Sequence, residues 1–188
     1  MSRKLFLSNN YKIGIVGSHS CGKTTLVKAL CHRVEIPIIH ELASKFPPED
    51  RKYISTQYDI MRAQIDCEKA HKSFLSDRTV IDNLAYATLV YNTDPIQFKQ
   101  VYTQCQQMAY KHLVSKPYNL IIFVNELLPL RPSPHRNFME KHEQEFILNF
   151  IKYEFETSDG RTYCGIPYIT VNGDLKDRIK VVMNYLKT

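Results

Sequence analysis

The stretch Gly17-Ser18-His19-Ser20-Cys21-Gly22-Lys23-Thr24-Thr25 constrains this chain more than any other. It satisfies the phosphate-binding pattern Gly, four residues, Gly, Lys, Ser or Thr at every fixed position. The glycines let backbone N–H groups turn inward and cradle phosphate oxygens, because no Cβ intervenes. Lys23 reaches the β- and γ-phosphates of a nucleotide as a point charge, and Thr24 offers a hydroxyl to Mg²⁺. The loop closes onto a helix start, where free N–H groups and the dipole favour an anion. Residues 17–25 are therefore the expected nucleotide cradle. His19 and Cys21 stand at variable positions of the pattern and receive no catalytic role. Lys23 is expected to be exposed in its loop and to serve only the ligand.

The flanks supply the context that such a loop needs. Lys12-Ile13-Gly14-Ile15-Val16 reads as a short buried strand, and Leu26, Leu30 and Val34 form one face of a helix after it. Further apolar runs follow at 36–39, 73–76, 119–124 and 166–171, each read as a strand. Helices are expected at about 55–74, 81–91, from Asp94-Pro95 onward, at about 138–155, and after Asp174. Asp94 and Asp174 read as N-caps. Paired prolines make 44–53 a loop, and Asp159-Gly160 marks a turn. Short apolar strands alternating with amphipathic helices predict an α/β fold, a parallel sheet covered on both faces. The 188 residues suit one domain.

Composition narrows the class further. The charge of +6 suits an anionic ligand and permits nucleic acid, but there is no dense Lys/Arg run. Five cysteines, an odd number without a Cys-x-x-Cys spacing, argue against a disulfide framework or a zinc site and for a reducing cytosol. The leader, residues 1–11, is polar and expected to fray, and its Leu5-Phe6-Leu7 is too short for a signal sequence. No apolar run reaches membrane-spanning length, so a cytoplasmic location is expected.

In parallel sheets, ligands sit at the carboxyl ends of strands. The polar residues at 17–25, Glu41, Asp77-Arg78, Asn125-Glu126 and Asn172-Asp174 all fall there. With these landmarks the chain resembles P-loop kinases of small molecules, most closely the nicotinamide riboside kinase-like group, with an echo of thymidylate kinases. Four places carry the resemblance: the loop at 17–25, the carboxylate in Ile38-Ile39-His40-Glu41-Leu42-Ala43, the Asp-Arg of 77–86 with its downstream Ala85-Tyr86, and the arginine-bearing loop 126–137. One departure is that Ala43-Ser44-Lys45 stands where the group often has an arginine. The resemblance implies strand order 2-3-1-4-5, ATP and Mg²⁺ as cofactors, and a short lid at about 126–137.

Each candidate then has a role. Glu41 is the general base or acceptor-orienting group. Asp77 holds Mg²⁺ together with Thr24, or orients the acceptor; its structural alternative is a helix cap. Arg78 clamps phosphate. Arg131 and Arg136 place charge over the γ-phosphate from a proline-stiffened lid. Gln64 and Asp82 are candidates for reading a base edge, and Tyr58 and Tyr86 for stacking on one. The leading expectation is transfer of a γ-phosphate from ATP to a nucleoside, nucleoside monophosphate or related small acceptor, mostly by positioning and charge neutralisation. The alternatives are a nucleotide-binding regulatory switch and a kinase acting on nucleic acid. The Asn-Lys-x-Asp pattern of GTPases is absent, since the fourth strand is followed by Asn125-Glu126-Leu127-Leu128.

Overall fold

Alternating apolar residues on the central strands decide the architecture. Strand β1 (Lys12–Gly17) sends Ile13 and Ile15 to one face and Val16 to the other. Strand β4 (Leu120–Val124) likewise sends Leu120, Ile122 and Val124 one way and Ile121 and Phe123 the other. A strand that is apolar on both faces must be covered on both. The computed structural model describes residue 5 and residues 10–129, 140–155, 162 and 164–187. Its sheet has five strands, all parallel, in the order β2-β3-β1-β4-β5. The order and the fold class match the expectation.

Helices α1 (Lys23–Cys31) and α6 (Leu175–Tyr185) cover one face, around Leu26, Val27, Leu30 and Val182. Helices α2 (Ile54–Ala70), α3 (Val80–Tyr91), α4 (Pro95–Val114) and α5 (Lys141–Phe155) cover the other. Fully burying one Ile or Leu contributes about 1.5–3 kcal/mol. A helix cap contributes about 1 kcal/mol. The strands therefore set the sheet, and the caps trim its helices. Asp94 and Asp174 do cap, accepting from Gln97 N at 3.0 Å and Asp177 N at 2.9 Å.

Boundaries moved for local reasons. Both edge strands, β2 (Ile38–Ile39) and β5 (Tyr168–Val171), start later than the apolar runs suggest. Each follows a proline whose carbonyl accepts a bond, from Leu75 N at 2.8 Å for Pro37 and from Ile121 N at 2.9 Å for Pro167. Proline has no N–H to return, so the regular ladder begins one residue on. The helix expected to 74 stops at Ala70, which frees β3 (Phe74–Asp77). The loop at 44–53 contains 3₁₀ turns at Leu42–Lys45 and Pro48–Lys52. The Asp159-Gly160 turn lies outside the described residues, as does most of the leader; Leu5 N donates to Arg33 O at 2.8 Å.

Candidate functional site

Strand β1 delivers the chain to Gly17, beside the end of β4. A Cβ on Gly17, whose φ is 154°, would lie 2.8 Å from both Cys21 Sγ and Val124 O, so the close approach excludes a side chain. Gly22 has φ 92°, and a Cβ there would meet Arg178 Nη1 at 3.0 Å. It is the N-cap of α1 and supplies no side chain to the free N–H groups, leaving them for an anion. Lys23 is buried rather than exposed. Its Nζ donates to Gly17 O at 2.6 Å and Ser18 O at 2.7 Å, bending the ammonium back over its own loop.

Thr24 Oγ1, in the first turn of α1, donates to Asp77 Oδ2, at the end of β3, at 2.6 Å. Asp77 Oδ1 is buried with no hydrogen-bond partner among the described residues. Such an orphaned carboxylate oxygen beside a hydroxyl suits a hard cation with oxygen ligands, and Thr24 with Asp77 fits Mg²⁺. Asp77 is not the cap of the next helix. Thr79 is, accepting from Ile81 N at 3.1 Å, with Asp82 Oδ2 accepting from Thr79 N at 2.9 Å. If the cradle takes nucleotide, Mg-ATP should raise the unfolding free energy by mass action. The gain is about 2.7 kcal/mol at a hundredfold excess over Kd. Thermal melts with and without Mg-ATP check this, and no shift at millimolar nucleotide would refute it.

The second half of the site starts at Glu41, just past β2, and Arg78, just past β3. Arg78 Nε lies 2.9 Å from Glu41 Oε1, and the guanidinium sits 4.8 Å from the Tyr86 ring centroid. Burial opposes the Arg78 charge, but Glu41, Tyr86 and Asp82 outweigh it and hold its pKa well above the usual range. Arg78 Nη1 is buried with no hydrogen-bond partner among the described residues. Its backbone has φ 96°, a conformation that costs a non-glycine residue about 1–3 kcal/mol. Glu41 and Arg78 border a cavity of about 460 Å³, with Gln57, Asn83, Tyr86 and Phe98 among its walls. The Asn83 amide nitrogen, Nδ2, is also buried and without a partner among the described residues. Apolar walls with a few such polar groups are the character of a small-molecule pocket.

Other expectations resolve differently. Asp82 reads no base edge. It is fully buried and accepts from Gly17 N at 3.2 Å as well as Thr79 N, tying the phosphate loop to the start of α3. Burial pushes its carboxyl up, against Lys23, Arg78 and these two N–H groups. Gln64 lies outside the cavity walls, buried in a polar network under β3. Tyr58 packs against the core, whereas Tyr86 does line the cavity. Arg131 and Arg136, with most of the expected lid, lie outside the described residues. Glu126, at the lid's start, accepts from Arg178 Nη2 at 2.6 Å and Gly173 N at 3.0 Å.

Two contributors have no signal in the sequence. Arg178 on α6 is buried and donates to Cys21 O at 2.7 Å, bracing the phosphate loop from outside. Gln144 on α5 donates to His19 O at 2.7 Å and to Leu128 O at 3.0 Å, while its own carbonyl accepts from Ser18 Oγ at 2.6 Å. The contacts that brace the phosphate loop, Gln144 to His19 O and Arg178 to Cys21 O, each span more than 100 residues of chain, so no local pattern could reveal them.

A five-stranded parallel sheet in this order, with a phosphate loop between β1 and α1 and acidic and basic side chains on the neighbouring strand ends, is a P-loop nucleotide-binding architecture. Residues 12–178 match the family described as AAA domain, and the chain belongs to that family. Solved structures share the fold. Deoxyadenosine kinase from M. mycoides with bound dATP is 15% identical, with a TM-score of 0.72 over 94% of this chain and 100% of that one. The same enzyme with bound dCTP is 16% identical, with a TM-score of 0.68 over 94% of this chain and 98% of that one. NadR protein in complex with NAD and AMP-PNP is 18% identical, with a TM-score of 0.67; 96% of this chain is covered and 50% of that one. The chain thus spans about half the length of NadR. No curated protein matches by sequence. Among the described residues no helix is long and apolar enough to cross a membrane, all five cysteines are free, and no group of His, Cys, Asp and Glu is arranged to hold a metal by itself.

Proposed function

We propose that this protein transfers the γ-phosphoryl group of ATP, with Mg²⁺, to a hydroxyl of a nucleoside-like small molecule seated in the cavity beside Glu41. The observation that carries the reading is the Glu41–Arg78 pair at the wall of a cavity whose own strand, β3, also presents Asp77 to Thr24 of the phosphate loop. One strand end thus serves two sites, the metal on one side and the acceptor on the other. Lys23 and the loop N–H groups hold the phosphates. Thr24 and Asp77 hold Mg²⁺, which neutralises charge on the phosphate oxygens. Glu41 accepts the hydroxyl proton as the acceptor attacks. Arg78, with Nη1 uncommitted, donates to an acceptor oxygen or to the transferring group.

A hydroxyl acceptor is favoured over a phosphate because Arg78 already faces a carboxylate. A dianionic acceptor would have to sit against Glu41, and like charges that close oppose each other. The relatives' named ligands, dATP for one and NAD with AMP-PNP for another, support a nucleotide donor and an acceptor of nucleoside type. An ADP-release assay with Mg-ATP against nucleosides and nucleoside monophosphates tests the proposal. Turnover should require a nucleoside-class hydroxyl acceptor. Activity only with monophosphates would overturn the hydroxyl assignment, and acceptor-independent turnover would overturn kinase function in favour of a hydrolytic switch.

A further inference from the structure

Beneath the acceptor site lies a buried polar network that the phosphate chemistry does not use. Glu68 of α2 is almost fully buried and is held by three donors. Oε1 accepts from Gln64 Nε2 at 2.7 Å, Oε2 accepts from His112 Nε2 at 2.7 Å, and the single hydroxyl proton of Tyr118 is shared between Oε1 at 2.8 Å and Oε2 at 2.9 Å. The chain continues upward. Gln64 Nε2 also lies 2.9 Å from Ser76 Oγ and 3.3 Å from Arg78 O, and Ser76 Oγ donates to Arg78 O at 2.7 Å. Two side chains, Gln64 of α2 and Ser76 of β3, therefore converge on one carbonyl, that of Arg78.

Proton counting orients the network. Ser76 has one hydroxyl proton, and it goes to Arg78 O, so Ser76 must accept from Gln64. Gln64 then needs its NH₂ end toward Ser76 and Arg78. Glu68 enforces that choice, because the flipped amide would set its oxygen against both a carboxylate and a carbonyl. Tyr118 and His112 hold Glu68 in place in turn. The carbonyl so pinned belongs to the residue with φ 96°, and its N–H is pinned as well, to Ile15 O at 3.1 Å. With both ends of the residue tied, the side chain leaves the backbone toward Glu41 and Tyr86.

We infer that Gln64 and Ser76, oriented by Glu68, are positioning residues for the acceptor site: they hold Arg78 in its positive-φ conformation and so aim its guanidinium at Glu41 and at the bound acceptor. They touch neither substrate nor metal. The inference rests on the proposed reaction for its kinetic consequence, but its structural content stands on Arg78 alone.

The test uses full-length Ser76→Ala and Gln64→Leu, the first as the milder variant should the second fold poorly. The Arg78 Nε–H resonance in ¹⁵N NMR reports on the guanidinium directly. It should be protected and dispersed in the wild type and should lose protection or shift toward free arginine in both variants. At saturating Mg-ATP, kcat/KM for the acceptor should fall about a hundredfold, the scale of an ångström's misplacement, while the Mg-ATP-induced rise in Tm persists. Tyr110→Phe is the control. It removes a bond of the same kind, Tyr110 Oη to Glu154 Oε1 at 2.9 Å, from a different buried carboxylate, and should leave the Arg78 resonance and acceptor kinetics at wild-type values. An unchanged Arg78 resonance with unchanged acceptor kcat/KM in the folded variants overturns the inference. A shifted resonance in a protein whose wild type transfers no phosphoryl group upholds it and refutes the proposed function instead.

Discussion

Lys23→Ala lowers phosphoryl transfer at least 10²–10³-fold, the scale seen when one preorganised donor to a developing anion is removed. The reason is geometric. Lys23 Nζ rests on the carbonyls of Gly17 and Ser18, both neutral acceptors, and a phosphate oxygen outcompetes either. The same geometry adds a stability effect that an exposed lysine would not have. Removing the ammonium leaves two carbonyls at a buried site, and each unsatisfied group costs about 1–3 kcal/mol. Water entering the emptied volume offsets part of that. ADP release at saturating Mg-ATP and acceptor, with thermal unfolding in parallel, measures both. A folded variant with activity near wild type would remove the phosphate loop from the reaction altogether.

Glu41→Gln lowers turnover about 10²–10⁴-fold if Glu41 takes the proton of a hydroxyl acceptor. The amide keeps the volume and retains an oxygen for Arg78, so ATP affinity and most acceptor affinity survive, and the loss falls on kcat. A phosphate acceptor has no proton to surrender near neutral pH. In that case the loss is smaller and falls on acceptor KM. Full kinetics against both substrates separate the two outcomes. A variant with wild-type kcat and acceptor KM would show that the Glu41–Arg78 pair, at 2.9 Å, is only a structural contact.

The phosphate loop was readable because its chemistry is local. Nine consecutive residues supply the glycines, the lysine and the threonine, and the strand and helix beside them announce themselves by apolar spacing. The sheet order came with the resemblance, and the structure has that order. Glu41, Asp77 and Arg78 were visible as polar residues ending apolar runs. Their pairing was not, because Asp77 at the end of β3 meets Thr24 on α1, and Arg78 just past β3 meets Glu41 just past β2, each across elements far apart in the chain.

What the sequence by itself determined is the set of parts: a nucleotide cradle at 17–25, parallel strands covered on both faces, and charged residues at the strand ends. Each follows from spacing within a window of a few residues. The tertiary structure alone decided how the parts are held. Asp82 sits under Gly17 rather than against a base, Gln64 under Arg78 rather than in the cavity, and Arg178 behind Cys21. A polar residue on a helix carries no mark of whether its face meets water, ligand or another buried polar group. That is settled only when the sheet brings the distant strand end over it, and the burial of an unpaired polar group then becomes too costly to leave unmatched.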